Sequence, residues 1–139
     1  MSLRTFVDTG VLIAAFRGEE ELRAAAERVL DDPDREFVTS DFVGLELLPK
    51  AKYNKNGDEV AFYETFLAAS TETVRASEAL VADADTQATK AGLAAMDALH
   101  VAAAQQASAA ELVTTEKSDK PMFRVTNLTV RSIRPTKTA

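Results

Sequence analysis

The sequence predicts an α/β fold of three layers, a central and mostly parallel β-sheet with helices on both faces. Two observations carry that reading. Short β-rich runs alternate with amphipathic or alanine-rich helical segments along the chain, which is the order left by right-handed β-α-β crossovers. The 139 residues, 46% hydrophobic and 27% charged, also suffice for one core without a disulfide or metal staple, so residues 1–139 read as a single domain.

The elements follow in order. Residues 4–7 form a first strand ending at Asp8-Thr9-Gly10, a strand-to-turn signal. Val11, Leu12, Ala14, Ala15 and Phe16 suit a short buried helix, and residues 19–30 form a second, with Leu22, Ala25, Ala26, Val29 and Leu30 at amphipathic spacing. Asp31-Asp32-Pro33-Asp34 stops it. Phe37-Val38 is a second strand, and Ser40 or Asp41 is placed to cap a helix carrying Phe42, Val43, Leu45, Glu46, Leu47 and Leu48. Pro49 is expected to kink or reset that helix. After the polar break at 54–57, residues 58–69 are helical again and 71–74 form a third strand. Residues 78–90 are an alanine-rich helix broken by Gly92. Residues 94–107 are apolar on nearly every side, which predicts a buried helix. Residues 112–114 give a fourth strand, and Val125, Val130 and Ile133 mark one or two more.

Composition excludes much chemistry. With no cysteine, disulfides, thiolate metal sites and thiol nucleophiles are out. The single histidine, His100, cannot build a His-rich metal site. No run approaches the roughly 20 apolar residues of a membrane span, and the N-terminus lacks the basic-then-apolar order of a secretory signal. The expected compartment is the cytoplasm, with no membrane partner. Net charge is −6, which speaks against binding nucleic acid through the bulk field. That sum hides an asymmetry: of 16 basic and 22 acidic residues, positions 117–139 hold six basic and Asp119 alone, leaving a net +5 tail on a −11 body.

In a parallel sheet, ligands sit beyond the carboxyl ends of the strands, and this sorts the acids. Glu19-Glu20-Glu21, Asp31-Asp32 and Asp58-Glu59 lie among polar neighbours at helix ends and read as solvated surface. Asp8 ends the first strand, Glu46 is embedded in FVGLELL, Asp97 lies in AGLAAMDALHVAAA, and Glu116 follows the fourth strand with Asp119 three residues on. A buried carboxylate needs a proton, a basic partner or a metal. The segments holding Asp8, Glu46 and Asp97 supply no adjacent Lys or Arg. Several acids meeting at one point require a divalent cation, and hard oxygen donors without His or Cys select Mg²⁺ or Mn²⁺. The chemistry natural to such an ion is phosphodiester hydrolysis.

Taken in order, FVDTGVLIAAF, TSDFVGLELL, AMDALHVAAA and ELVTTEKSD resemble the PIN-domain ribonucleases, the group that includes VapC-type toxins of toxin–antitoxin pairs. The resemblance spans nearly the whole chain and implies a three-layer α/β/α PIN-like fold. It further implies a Mg²⁺- or Mn²⁺-dependent endoribonuclease acting on RNA, with homodimerisation as the family expectation and, for a toxin, a small antitoxin over the cleft. A toxin and an RNA-processing enzyme both fit. By resemblance Asp8 is the first-strand acid with the Thr9 hydroxyl beside it, Glu46 the helix acid, Asp97 the third acid, and Thr114-Thr115-Glu116 the Thr-x-Asp or Thr-x-Asn segment. Asp119 matches the second acid of a longer pattern, although Lys120 replaces the usual Phe. Glu116 stands where Asp or Asn is usual, and Gly10 where a small polar residue is common.

Each residue also has a plainer reading. Asp8 suits a helix cap, Glu46 a half-exposed helix face, and Thr9 and Thr115 local caps that also position a ligand water. His100, three residues after Asp97 and near the same helix face, reads first as a hydrogen-bonded core imidazole. Lys50, Lys52 and Lys55 around Tyr53, and Lys117, Lys120, Arg124 and Arg131, suit either solvated surface or a phosphate-contacting edge. Two other functions compete. An aspartyl-phosphate enzyme wants Asp-x-Asp, whereas Gly10 follows Asp8 at that spacing; a catalytically idle PIN-like RNA-binding or regulatory module would account for Glu116.

Overall fold

A computed structural model describes residues 2–135. The chain runs β1 (Leu3–Val7), α1 (Thr9–Arg17), α2 (Glu20–Leu30), β2 (Arg35–Ser40), α3 (Asp41–Tyr53), α4 (Gly57–Ala69), β3 (Glu72–Val74), α5 (Glu78–Ala91), α6 (Ala95–Gln106), β4 (Glu111–Thr114) and β5 (Thr129–Ser132), with a 3-10 turn at Pro121–Arg124 before the last strand. The five strands form one sheet in the order β3-β2-β1-β4-β5, and every pairing is parallel. The sheet is therefore wholly rather than mostly parallel among the described residues.

Strand order and handedness fix the layers. Steps from β1 to β2 and from β2 to β3 run toward one edge, and right-handed crossovers put α1 to α4 on one face. The return from β3 to β4 puts α5 and α6 on the other. Phe6, Val7, Val38, Leu112 and Val113 fill the sheet between them and are fully buried. The connections of β1 and β4 diverge from neighbouring strands, which opens a crevice beyond their carboxyl ends.

Local chemistry sets the helix boundaries. The Ser40 hydroxyl caps α3 by accepting from the amides of Phe42 (3.2 Å) and Val43 (3.4 Å). Asp41 reaches away instead, accepting from the Arg75 guanidinium and the Ala76 amide, both at 2.9 Å. The Ala76 amide, then the Arg75 guanidinium, hold its carboxyl below the usual range. Gly92 ends α5 in the left-handed region at φ 72°. Pro49 lies inside α3, which continues to Tyr53 instead of stopping. The carbonyl it orphans belongs to Leu45, and both residues are exposed, so water can satisfy that group. Val125 ends the 3-10 turn and belongs to no strand, leaving β5 as the single strand of the C-terminal segment among the described residues. No helix among them is long and apolar enough to cross a membrane.

Candidate active site

Asp8 is the first residue past β1. Its amide still donates to the Val113 carbonyl at 2.9 Å, so the β1–β4 ladder carries it one step beyond the strand. One carboxylate oxygen accepts from the Thr9 amide at 2.8 Å and caps α1; the other accepts from the Thr114 hydroxyl at 2.7 Å. The Thr114 hydroxyl in turn accepts from the Glu116 amide at 3.1 Å. One buried hydroxyl thus ties the first acid to the turn that presents the fourth. Asp8 is 6% exposed, and the helix-cap reading holds for it.

Asp97 sits in the first turn of α6 and is half-buried, not within the helix's apolar middle. Burial raises its carboxyl above the ordinary carboxylate range, and Asp8, Glu116 and Glu46 push the same way. The charges of Asp8, Glu116 and Glu46 are thus close enough to be felt at Asp97. Glu46 is less buried than its sequence context implies, with 34% of its side chain exposed. Its carboxyl is lowered, chiefly by a hydrogen bond from His100, with a smaller pull from the Thr9 hydroxyl. Among the described residues, no three His, Cys, Asp or Glu side chains are gathered closely enough to form a ready metal shell.

A family model described as the PIN domain matches residues 5–125. The chain belongs to the PIN domain family. Among solved structures, one of VapBC2 from Rickettsia felis bound to a promoter DNA fragment is 18% identical, covering 93% of this chain and 98% of that one, with a TM-score of 0.68. A toxin–antitoxin complex from Klebsiella pneumoniae is 19% identical over 95% and 99%, TM-score 0.69. VapC20 of Mycobacterium tuberculosis, described as a sarcin-ricin loop cleaving toxin, is 13% identical over 83% and 91%, TM-score 0.64. At these identities the likeness is one of fold. No curated protein matches the sequence.

In this PIN domain Asp119 stands apart from the other acids. It is exposed on the turn after Glu116 and is absent from the charges acting on Asp97. Gly10 has a local cause: a Cβ there would overlap the Thr115 hydroxyl. The small residue beside the first acid and the threonine beside the fourth are thus a matched pair. Gly10→Ala is expected to destabilise the fold by about 1–3 kcal/mol, and adding Thr115→Ala to recover most of it, as read by chemical denaturation. A Gly10→Ala protein of unchanged stability would refute the pairing.

The basic residues do not form one surface. Arg134 donates to the Thr115 carbonyl at the acid end, whereas Arg131 turns to Glu111 at 3.6 Å and Arg124 to the Ala91 carbonyl at 3.3 Å; Lys137 lies outside the described residues. Among the described residues, the basic excess of positions 117–139 is therefore divided among different partners and does not form one phosphate-contacting edge. Of the α3 lysines, Lys50 shares with Glu46, Ile13 and Arg17 a cavity of about 200 Å³, while Lys52, Tyr53 and Lys55 are exposed. In the wall of that cavity the buried Glu59 carboxylate accepts from Tyr63 (2.5 Å), Asn56 (3.0 Å) and Arg17. Burial, then the Glu59 carboxylate, push the Tyr63 phenol well up.

Two features were hidden from sequence reading. Thr114 is the direct partner of Asp8, a contact spanning 106 positions that no local pattern reports. His100 is buried, as its plainer reading expects, yet its bonding partner is a site acid.

Proposed function

We propose that the chain is a divalent-metal-dependent endoribonuclease hydrolysing RNA phosphodiester bonds. The observation that carries this is the bonded set beyond β1 and β4: Thr114 ties Asp8 to the Glu116 turn, and His100 lies 2.5 Å from Glu46 and 3.9 Å from Asp8, at the crevice where a parallel sheet binds its ligands. The donor set fits a hard divalent ion: Asp8, Glu46, Asp97 and Glu116 are all carboxylates, they repel one another, and of the cations near them Arg17 is paired with Glu59 while Arg134 and Lys50 lie at the margin. Asp8, Asp97 and Glu116 would hold Mg²⁺ or Mn²⁺, with Glu46 ligating it or orienting the attacking water. When bound, such an ion supplies an activated water and neutralises phosphoryl charge. The chain's own groups do the placing. Thr114 fixes Asp8 and the Glu116 turn together, and α6 brings Asp97 against them. Arg134 and Lys50 offset the repulsion that a carboxylate crevice presents to RNA.

The toxin–antitoxin complexes among the similar folds support a toxin with an antitoxin partner; a cytoplasmic location and a homodimer belong to the same proposal and rest on the family resemblance alone. A second reading, an idle RNA-binding or regulatory module, draws on Glu116, which stands where the family usually has Asp or Asn. One experiment separates them. Wild-type protein is incubated with a mixed RNA pool with and without Mn²⁺, the new ends are sequenced, and Mn²⁺ binding is followed by calorimetry. The nuclease reading expects Mn²⁺-dependent ends at a recurrent sequence or loop. Folded protein that neither binds Mn²⁺ nor cuts establishes the idle module.

A further inference from the structure

We infer that His100 is a positioning residue, which fixes the Glu46 carboxylate at the edge of the acid cluster. The role rests on the ribonuclease reading for its effect on turnover, but its effect on metal affinity can be measured separately. Glu46 and His100 come from α3 and α6, helices of different crossovers that contact each other. The His100 Nε2 lies 2.5 Å from Glu46 Oε1 and 3.9 Å from the nearer Asp8 oxygen, too far for a second hydrogen bond. Nε2–H therefore donates to Glu46 alone.

The two partners differ in freedom. His100 is 1% exposed, and its ring packs against Phe6 with centroids 5.9 Å apart. Glu46 has three rotatable side-chain bonds and a partly solvated head, so without a partner it samples several rotamers. A rigid donor thus selects one position of a mobile acid.

Core packing does not account for the imidazole. Its Nδ1 is buried with no hydrogen-bond partner, an arrangement unfavourable to the fold. A leucine of similar bulk would fill the space without that penalty. What the imidazole alone contributes here is the donor aimed at Glu46. Second-layer partners of this kind set both the orientation and the affinity of the groups they hold.

The test uses the full chain carrying His100→Leu, which removes the donor, or His100→Gln, which keeps one, each alone and with Glu46→Gln. Mn²⁺ affinity is read by calorimetry, kcat and KM with RNA, and folding by circular dichroism and thermal melting. His100→Leu is expected to weaken Mn²⁺ binding and lower kcat by about 10–100-fold. KM for RNA should hold within about twofold, and with Glu46→Gln already present His100→Leu should cost less than about twofold more. His100→Gln should regain most of the loss. A folded His100→Leu protein with wild-type Mn²⁺ affinity overturns the role, as do fully additive losses in the double variant; should His100→Leu not fold, His100→Phe, which also lacks the donor, takes its place in the same cycle with Glu46→Gln. Wild-type protein that binds Mn²⁺ in this way but cuts no RNA refutes the nuclease reading and leaves the positioning role standing, whereas protein that cuts RNA without binding Mn²⁺ refutes the positioning role.

Discussion

Replacing Asp97 by Asn is expected to cut RNA cleavage roughly a thousandfold, the several kcal/mol that a bound cation contributes to transition-state charge. The fold should not suffer. Asn has the shape of Asp, and the charge it removes is one that burial, Asp8 and Glu116 already disfavour. Because the Asp97 pKa is raised in the folded state, the ionised group opposes folding at neutral pH, and that penalty fades as pH falls through the raised value. Metal-free Asp97→Asn protein should therefore melt above wild type at pH 7, with the gap closing below the ordinary carboxylate value of 3.8. Glu46 has the opposite sign. Its lowered pKa gives a contribution that is complete above its ordinary 4.5 and lost as pH drops through the folded value. Melting in chelator across pH 3–7 separates the two. Full cleavage by purified, folded Asp97→Asn protein would remove the catalytic assignment, and a lower melting point at pH 7 would contradict the repulsion.

Mn²⁺ at a hundred times its dissociation constant should stabilise the protein by about 2.7 kcal/mol, which for a chain of this size raises the melting temperature by roughly 10 °C. Asp8→Asn and Asp97→Asn should abolish most of that rise. Asp119→Asn should leave it intact, because Asp119 is exposed and takes no part in the field on Asp97. Loss of the rise in Asp119→Asn would place Asp119 back in the metal shell. An unchanged rise in Asp97→Asn would move the ion elsewhere. Cleavage should stop on adding chelator and return with Mn²⁺, measured on the same samples.

Periodicity and capping residues reveal this fold well because its elements are short, separated by strong breakers and set in a regular alternation. Ser40, Gly92 and the aspartate-proline stop after Leu30 each act through local backbone chemistry, which a sequence displays directly. Pro49 misleads for the complementary reason: its cost depends on whether the freed Leu45 carbonyl meets water or protein, which only the packed helix decides. The site acids stood out because a lone carboxylate in apolar company needs an explanation. Their partners did not. Thr114 and His100 lie in segments that the sequence already singles out, but their partners are residues at separations of 106 and 54 positions, which no local pattern reports. The spread of the basic residues was hidden for the same reason, since a count of charges does not say which way each side chain turns.

The central position of β1 has a consequence for how the molecule comes into being. Its neighbours are β2, about thirty residues later, and β4, more than a hundred residues later. A ribosome-bound chain that has not yet reached residue 111 can pair β1 on one side only, leaving an open parallel edge of the kind that invites pairing with other chains. In that state Asp8 has neither the Val113 carbonyl nor the Thr114 hydroxyl to hold it. The acid crevice cannot exist on a partial product: it appears only when the last third of the chain has emerged and docked, so synthesis itself delays the chemistry until the molecule is nearly complete.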